Sequence, residues 1–213
     1  MMKKKTYLKS LGVGGIALLC LCLTTLAGPT VENGDFSAGL SHWDVEYGSV
    51  TDGGGYALFE EDAFSLSSTL SRQFTIPVLA LELSFDVLMS SAPGGPYDPL
   101  AWPDAFTASL LDPATLAPLI YTPGYTDFYY LDNTGYEETV GTVSGSTVSL
   151  DVSSWTGYDV LVSFDLWGGS DGMMTTISLD NVSISVIPAP GALLLGLIGT
   201  GAVGLWRRFA KTA

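Results

Sequence analysis

The chain predicts an all-β fold, an antiparallel β-sandwich, and three observations carry that prediction. Its middle alternates apolar and polar residues with a period of two, the runs are short and separated by turn-forming residues, and helical spacing is absent from the region. A strand sends successive side chains to opposite faces, so each such run buries one face and wets the other. Several of them, punctuated in this way, pack as two stacked sheets.

Leu79-Ala80-Leu81-Glu82-Leu83-Ser84-Phe85-Asp86-Val87 has apolar residues at every odd position, with Glu82, Ser84 and Asp86 between them. Tyr158 to Leu166 and Thr147 to Val152 repeat the pattern, and Phe106 to Leu110 is a shorter version. In the last run Ile177 and Leu179 share one phase, and Val182, Ile184 and Val186 resume in the other. The slip falls at Asp180-Asn181 and predicts a bulge or bend there. Turns are expected at Asp52 to Gly55, Pro93 to Pro96, Asp132 to Gly135 and Gly168 to Gly172. Ser91 to Asp104, with its prolines, reads as a long loop, and Tyr121 to Glu138 as a loop flowing into an edge hairpin. Trp43, Trp155 and Trp167 are expected in or near the core, and His42 at the surface.

The two ends differ from this domain, taken as residues 28–187. Residues 1–27 read as a secretory signal: Lys3, Lys4, Lys5 and Lys9 precede an apolar run, and Thr25-Leu26-Ala27 supplies small residues for signal peptidase. Both cysteines, Cys20 and Cys22, lie inside it, so the processed domain is expected to carry no disulfide. Residues 188–213 begin with Pro188-Ala189-Pro190, continue as an uncharged apolar run from Gly191 to Trp206, and end in Arg207, Arg208 and Lys211. The apolar run predicts a transmembrane helix of about 24 Å, short for a hydrocarbon core, with its basic end held inside.

Charge is segregated. Of the eight basic residues, four lie in the signal and three in the tail, leaving Arg72 alone among all 22 acids, so the domain has a formal charge of −21. Such a surface excludes nucleic-acid binding and attracts divalent cations.

The tail resembles the PEP-CTERM sorting signal, a Pro-x-Pro step followed by a short apolar helix and a terminal Arg cluster. Ala189 stands where that family has glutamate. The resemblance implies an exosortase-like membrane protease as partner, acting on Pro188, Ala189, Pro190 and Gly191 with Arg207 and Arg208 as the basic end. A plain single-pass anchor is the alternative. Val31-Glu32-Asn33-Gly34-Asp35-Phe36 with Gly39 to Trp43, and the closing Leu179-Asp180-Asn181-Val182, are similar to the opening and closing steps of galactose-binding-like jelly rolls and related carbohydrate-binding modules. Phe74-Thr75-Ile76-Pro77 ahead of Leu83-Ser84-Phe85 resembles domains that PEP-CTERM proteins carry. The expected fold is therefore a jelly roll.

That second resemblance also implies a structural Ca2+ between the first and last strands, which nominates Glu32 and Asp180, with Asp62 as a further ligand. The alternative is that Asp180 caps the bulge and Glu32 is solvated. Aromatic rings in the loops suit sugar faces, and Trp102, Tyr121, Tyr125, Tyr129 and Tyr130 are the candidates. Catalysis finds little footing. The one histidine, His42, has no nucleophile elbow to serve, and no carboxylate pair stands in a recognisable motif. The expected protein is non-catalytic, exported, and sorted or anchored at a bacterial cell surface or exopolysaccharide matrix. A surface carbohydrate-binding module is the alternative, and a carboxylate-dependent glycoside hydrolase a weaker one.

Overall fold

The computed structural model describes residues 31–61, 66–123 and 125–186. The secretory signal, Asp62 and the tail from Ile187 onward, with Pro188, Ala189, Pro190, Gly191, Arg207 and Arg208, lie outside the described residues. Among the described residues no helix is long and apolar enough to cross a membrane.

Thirteen strands follow one another among the described residues. They are β1 (Asp44–Tyr47), β2 (Ser49–Asp52), β3 (Ala57–Glu60), β4 (Ser67–Thr75), β5 (Ala80–Pro93), β6 (Ala105–Leu111) and β7 (Pro118–Ile120). After them come β8 (Tyr129–Asp132), β9 (Glu137–Thr139), β10 (Thr142–Ser144), β11 (Thr147–Asp151), β12 (Asp159–Trp167) and β13 (Met173–Val186). They form two antiparallel sheets. A seven-stranded sheet runs β1-β4-β12-β6-β8-β9, with β7 also on β6, and a six-stranded sheet runs β10-β11-β5-β13-β3-β2. The chain leaves the first sheet for the second between β1 and β2 at Gly48, whose φ is +68°. A Cβ there would lie 2.4 Å from the Ser67 carbonyl oxygen, so only glycine fits that corner.

The alternating patterns become the two inner faces. Val160, Val162, Phe164 and Leu166 of β12 meet Leu83, Phe85 and Val87 of β5 in one core with Phe59, Leu70, Phe106, Leu110, Ile177 and Leu179. Phe164 is its hub: its ring lies 5.1 Å from Phe85, 6.0 Å from Trp43, and stacked 6.2 Å from Phe106. Each buried ring contributes roughly 1.5–3 kcal/mol by leaving water. With no disulfide among the described residues, this aromatic cluster holds the sheets together.

The phase slip in the last strand is a bulge. The β13–β5 register breaks between Asp180 and Ser183, Asn181 takes a φ of +53°, and its N–H donates to Asp180 Oδ1 at 2.6 Å. The opening motif packs on that bulge. The Val182 N–H donates to the Gly34 carbonyl at 2.8 Å, and a Cβ on Gly34 would lie 1.9 Å from the Val182 oxygen. Asn33 braces its own loop through the carbonyls of Gly39 and Ser41, and accepts the Trp43 indole N–H on its own carbonyl.

Two expectations give way. β5 continues through Ser91 to Pro93, where a loop was expected, because β13 pairs with it as far as Met173↔Pro93. Trp167 is half exposed rather than in the core, because it shares the outward phase of Ser163 and Asp165 on β12. Trp43 and Trp155 are in or against the core, as expected, and His42 is exposed.

Candidate functional site

Register places a polar floor on the outward face of the seven-stranded sheet. Thr69 and Ser71 of β4 stand opposite Asp165 and Ser163 of β12, which stand opposite Thr107 and Ser109 of β6. Thr107 in turn stands opposite Tyr130 of β8, and Tyr130 opposite Glu138 of β9. These hydroxyl residues point away from the core, yet Thr69, Ser71, Thr107, Ser109 and Ser163 are only 2–7% exposed. Short side chains in the middle of a sheet are recessed when larger ones stand around them.

Three carboxylates sit in that floor, each fixed by hydroxyls. Asp165 accepts from Thr69 through one oxygen and from Ser163 at 2.9 Å through the other. Glu46 accepts from Ser71 at 2.6 Å, and Asp127 from Ser109 at 2.6 Å. Burial lifts the Asp165 carboxyl above the usual carboxylate range, the two hydroxyl bonds oppose that, and the charges of Asp127 and Glu46 add to it. Burial lifts Asp127 as well, against its bonds from Ser109 and Thr126.

Aromatic rings rim the floor. On one side Tyr47 of β1 pairs opposite Thr69 across a bulge and is 66% exposed. At the end of β12, Trp167 extends the outward row Ser163, Asp165, Trp167. On the other side three tyrosines touch: Tyr130 lies 5.5 Å from Tyr125 and 5.9 Å from Tyr136, centroid to centroid. The Tyr136 hydroxyl donates to Glu138 at 2.9 Å.

Among the residues nominated from sequence, Tyr125 and Tyr130 are therefore brought together. Tyr121 is exposed in the preceding segment, and Trp102 is exposed in the loop between β5 and β6. Tyr129 turns inward, buried, and its hydroxyl donates to Glu137 at 2.8 Å. It walls a cleft of about 630 Å3 between β5 and the β8–β9 hairpin. Tyr47, Tyr136, Trp167 and the hydroxyl floor were not nominated. The alternation of Ser163-Phe164-Asp165-Leu166-Trp167 marks their face, but only cross-strand register shows that four strands pool their polar sides.

Of the nominated calcium ligands, Asp62 lies outside the described residues, and Glu32 and Asp180 each have partners within the chain. Glu32 Oε2 is held by Arg72 Nη2 at 2.9 Å, its carbonyl accepts from Arg72 Nη1, and its Oε1 faces His42 at 3.5 Å. Asp180 caps the bulge, and burial, opposed by the Asn181 N–H and reinforced by the charges of Asp86 and Asp35, lifts its carboxyl. Among the described residues no three acidic or histidine side chains are grouped so as to hold a metal ion.

A second acidic group lies away from the face. Asp104 is wholly buried and accepts from the Gly169 N–H, from Thr175 Oγ1 and, at 3.2 Å, from Asn133 Nδ2. Asn133 also donates to Asp171 at 2.8 Å, and the Thr175 N–H to Glu61 at 3.3 Å. Every one of these carboxylates is engaged, and together they lock the loops at one end of the sandwich.

The fold and the face define an antiparallel β-sandwich with an aromatic-rimmed polar surface on one sheet. No family model matches the chain, and none of the curated proteins does. Similar solved structures include TmCBM61, described in complex with beta-1,4-galactotriose, at 12% identity and a TM-score of 0.45, covering 75% of this chain and 100% of that one. Another is TmCBM27, a carbohydrate-binding module described for specific mannan recognition, at 14% identity and a TM-score of 0.39, covering 76% and 97%. The enzymatically active domain of bacteriophage CBA120 tailspike protein 4 is similar at 13% identity and a TM-score of 0.42, covering 74% of this chain and 21% of that one.

Proposed function

We propose that this protein is a non-catalytic, exported surface protein whose jelly-roll domain binds polysaccharide on the outward face of its seven-stranded sheet. The observation that carries the reading is the pairing of a recessed hydroxyl and carboxylate floor with exposed rings on both sides. Sugars present apolar C–H faces and hydroxyl edges, and such a surface offers rings to the one and charge-assisted acceptors to the other. Export and sorting rest on the lysine-led signal in residues 1–27 and on the Pro188-Ala189-Pro190 tail with its apolar run and arginines. The partners proposed with them are signal peptidase, an exosortase-like membrane protease and the membrane itself. A structural Ca2+ is not needed for this reading.

The test is affinity electrophoresis of the full-length chain in gels containing a panel of soluble polysaccharides, followed by calorimetry with the one that retards it most. Retardation that Tyr130→Ala weakens is the expected result. Passage through every gel unretarded overturns the binding reading, and release of reducing ends from the bound polysaccharide overturns its non-catalytic part.

A further inference from the structure

We propose that the polysaccharide bound on this face carries protonated amino groups, as a polymer of free-amine hexosamines does. The inference rests on the glycan-binding reading and adds the ligand's charge to it. Glu46, Asp127 and Asp165 lie in one floor, and among the described residues their side-chain partners there are the neutral hydroxyls of Ser71, Ser109, Thr126, Thr69 and Ser163. Arg72 is the one Lys or Arg among the described residues, and it cannot balance them. Its side chain is buried in the inward phase of β4, bonded to Glu32 and set 5.8 Å from the Trp43 ring. The face therefore holds several negative charges with no counter-cation among its own residues.

That arrangement discriminates between ligands. A uronic-acid polymer is repelled. A neutral sugar hydroxyl competes with the protein's own hydroxyls for acceptor sites that are already partly filled, since both oxygens of Asp165 accept a bond. An ammonium group is attracted by the uncompensated charge, and its approach favours the ionised form of the buried carboxyls. The tyrosine side of the face argues the same way from different atoms. Tyr125, Tyr130 and Tyr136 form a contiguous cluster of rings beside Glu138. Ring faces with an adjacent carboxylate are the arrangement that attracts ammonium groups.

The experiment compares two oligosaccharides of one length and linkage, the β-1,4 hexamer of glucosamine and that of N-acetylglucosamine. Both are titrated calorimetrically into the full-length chain near about pH 6 at low salt, where the ligand's amines are protonated. The expected result is about tenfold tighter binding of the free-amine hexamer, an advantage that shrinks as salt is raised. Asp165→Asn is expected to reduce that advantage. Because the whole domain is acidic, Tyr130→Ala is the deciding variant: it removes a ring without changing net charge, and the amine preference should collapse with it. An amine preference that survives Tyr130→Ala is diffuse attraction and overturns the proposal. Equal or tighter binding of the N-acetylated hexamer overturns it too, while leaving the glycan-binding reading intact. If neither hexamer binds but a neutral polysaccharide retards the chain, this inference alone fails; if no glycan binds, both fail.

Discussion

Tyr130 and Thr107 are cross-strand partners on the outward face of the seven-stranded sheet, one contributing a ring to the rim and the other a hydroxyl to the floor. The residue before Tyr130 does the opposite work, because Tyr129 points into the core between Phe85 at 5.8 Å and Phe106 at 6.3 Å. Register alone assigns two adjacent tyrosines to site and core. Replacing each by alanine separates the two roles. Tyr129→Ala is expected to destabilise by about 3–5 kcal/mol, as large-to-small changes at buried aromatics do. Tyr130→Ala should shift stability by less than about 1 kcal/mol and weaken polysaccharide binding by about tenfold. Chemical denaturation and affinity electrophoresis on the same preparations check both halves.

Asp165 offers a trade between stability and binding. Burial raises its carboxyl, so ionisation is harder in the folded state than in the unfolded chain. The stabilising contribution is thus full below the ordinary carboxylate pKa and is lost as pH rises through the raised value. Asp165→Asn keeps an acceptor for Thr69, can reverse the second bond by donating its amide N–H to the Ser163 oxygen, and never ionises. It is expected to melt a few degrees higher than the parent near neutral pH, by about 2–4 °C per kcal/mol, and to show no advantage in acid. A melting temperature below the parent's at neutral pH contradicts the account.

The two sheets were legible because alternation is a local property. Leu83-Ser84-Phe85 and Val162-Ser163-Phe164 announce their own buried faces, and the phase slip at Asp180-Asn181 announces its bulge. The extension of β5 to Pro93 was not legible, because nothing in Ser91-Ala92-Pro93 favours a strand until Met173 and Met174 pair with it. The site was half legible for the same reason. Composition marks Tyr125 and Tyr130 as loop and edge aromatics, whereas Tyr47, Trp167, Ser71 and Ser109 become one surface only through pairings between strands distant in the chain. Glu32 shows the limit from the other side: its neighbour in space, Arg72, is 40 residues away, a pairing that no local pattern announces.

Gly34 tests the closure of the sandwich. Its missing Cβ is what allows the opening turn to lie on the Val182 carbonyl. Gly34→Ala must push the turn off the bulge, losing the Val182 N–H bond to the Gly34 carbonyl and loosening Trp43, whose indole is tied to Asn33. A loss of about 2 kcal/mol is expected, with a red shift in the emission of Trp43. Unchanged stability would mean that the opening turn contributes nothing to the fold.

Asp104 and Glu61 belong to one cluster, yet their removal should move stability in opposite directions. Asp104 is wholly buried and holds the Gly169 N–H, the Thr175 hydroxyl and the Asn133 amide. Asp104→Ala strands the Gly169 N–H and takes one of two partners from the Thr175 hydroxyl, which keeps Ser91, and from the Asn133 amide, which keeps Asp171; at about 1–3 kcal/mol for an unpaired buried group a loss of that size is expected. Glu61 is only partly buried, and its carboxyl is raised first by burial and then by the charge of Asp104, with the Thr175 N–H pulling the other way. Its ionisation therefore works against folding: the contribution is favourable below the ordinary carboxylate pKa and is lost as pH rises through the raised value. Glu61→Gln keeps an acceptor for Thr175 and removes the charge that faces Asp104. It should raise the melting temperature at neutral pH and leave it unchanged in acid. Melting curves of the two variants across pH decide the matter, and a Glu61→Gln protein that melts below the parent at neutral pH would show that its carboxylate is a needed tie rather than a source of repulsion.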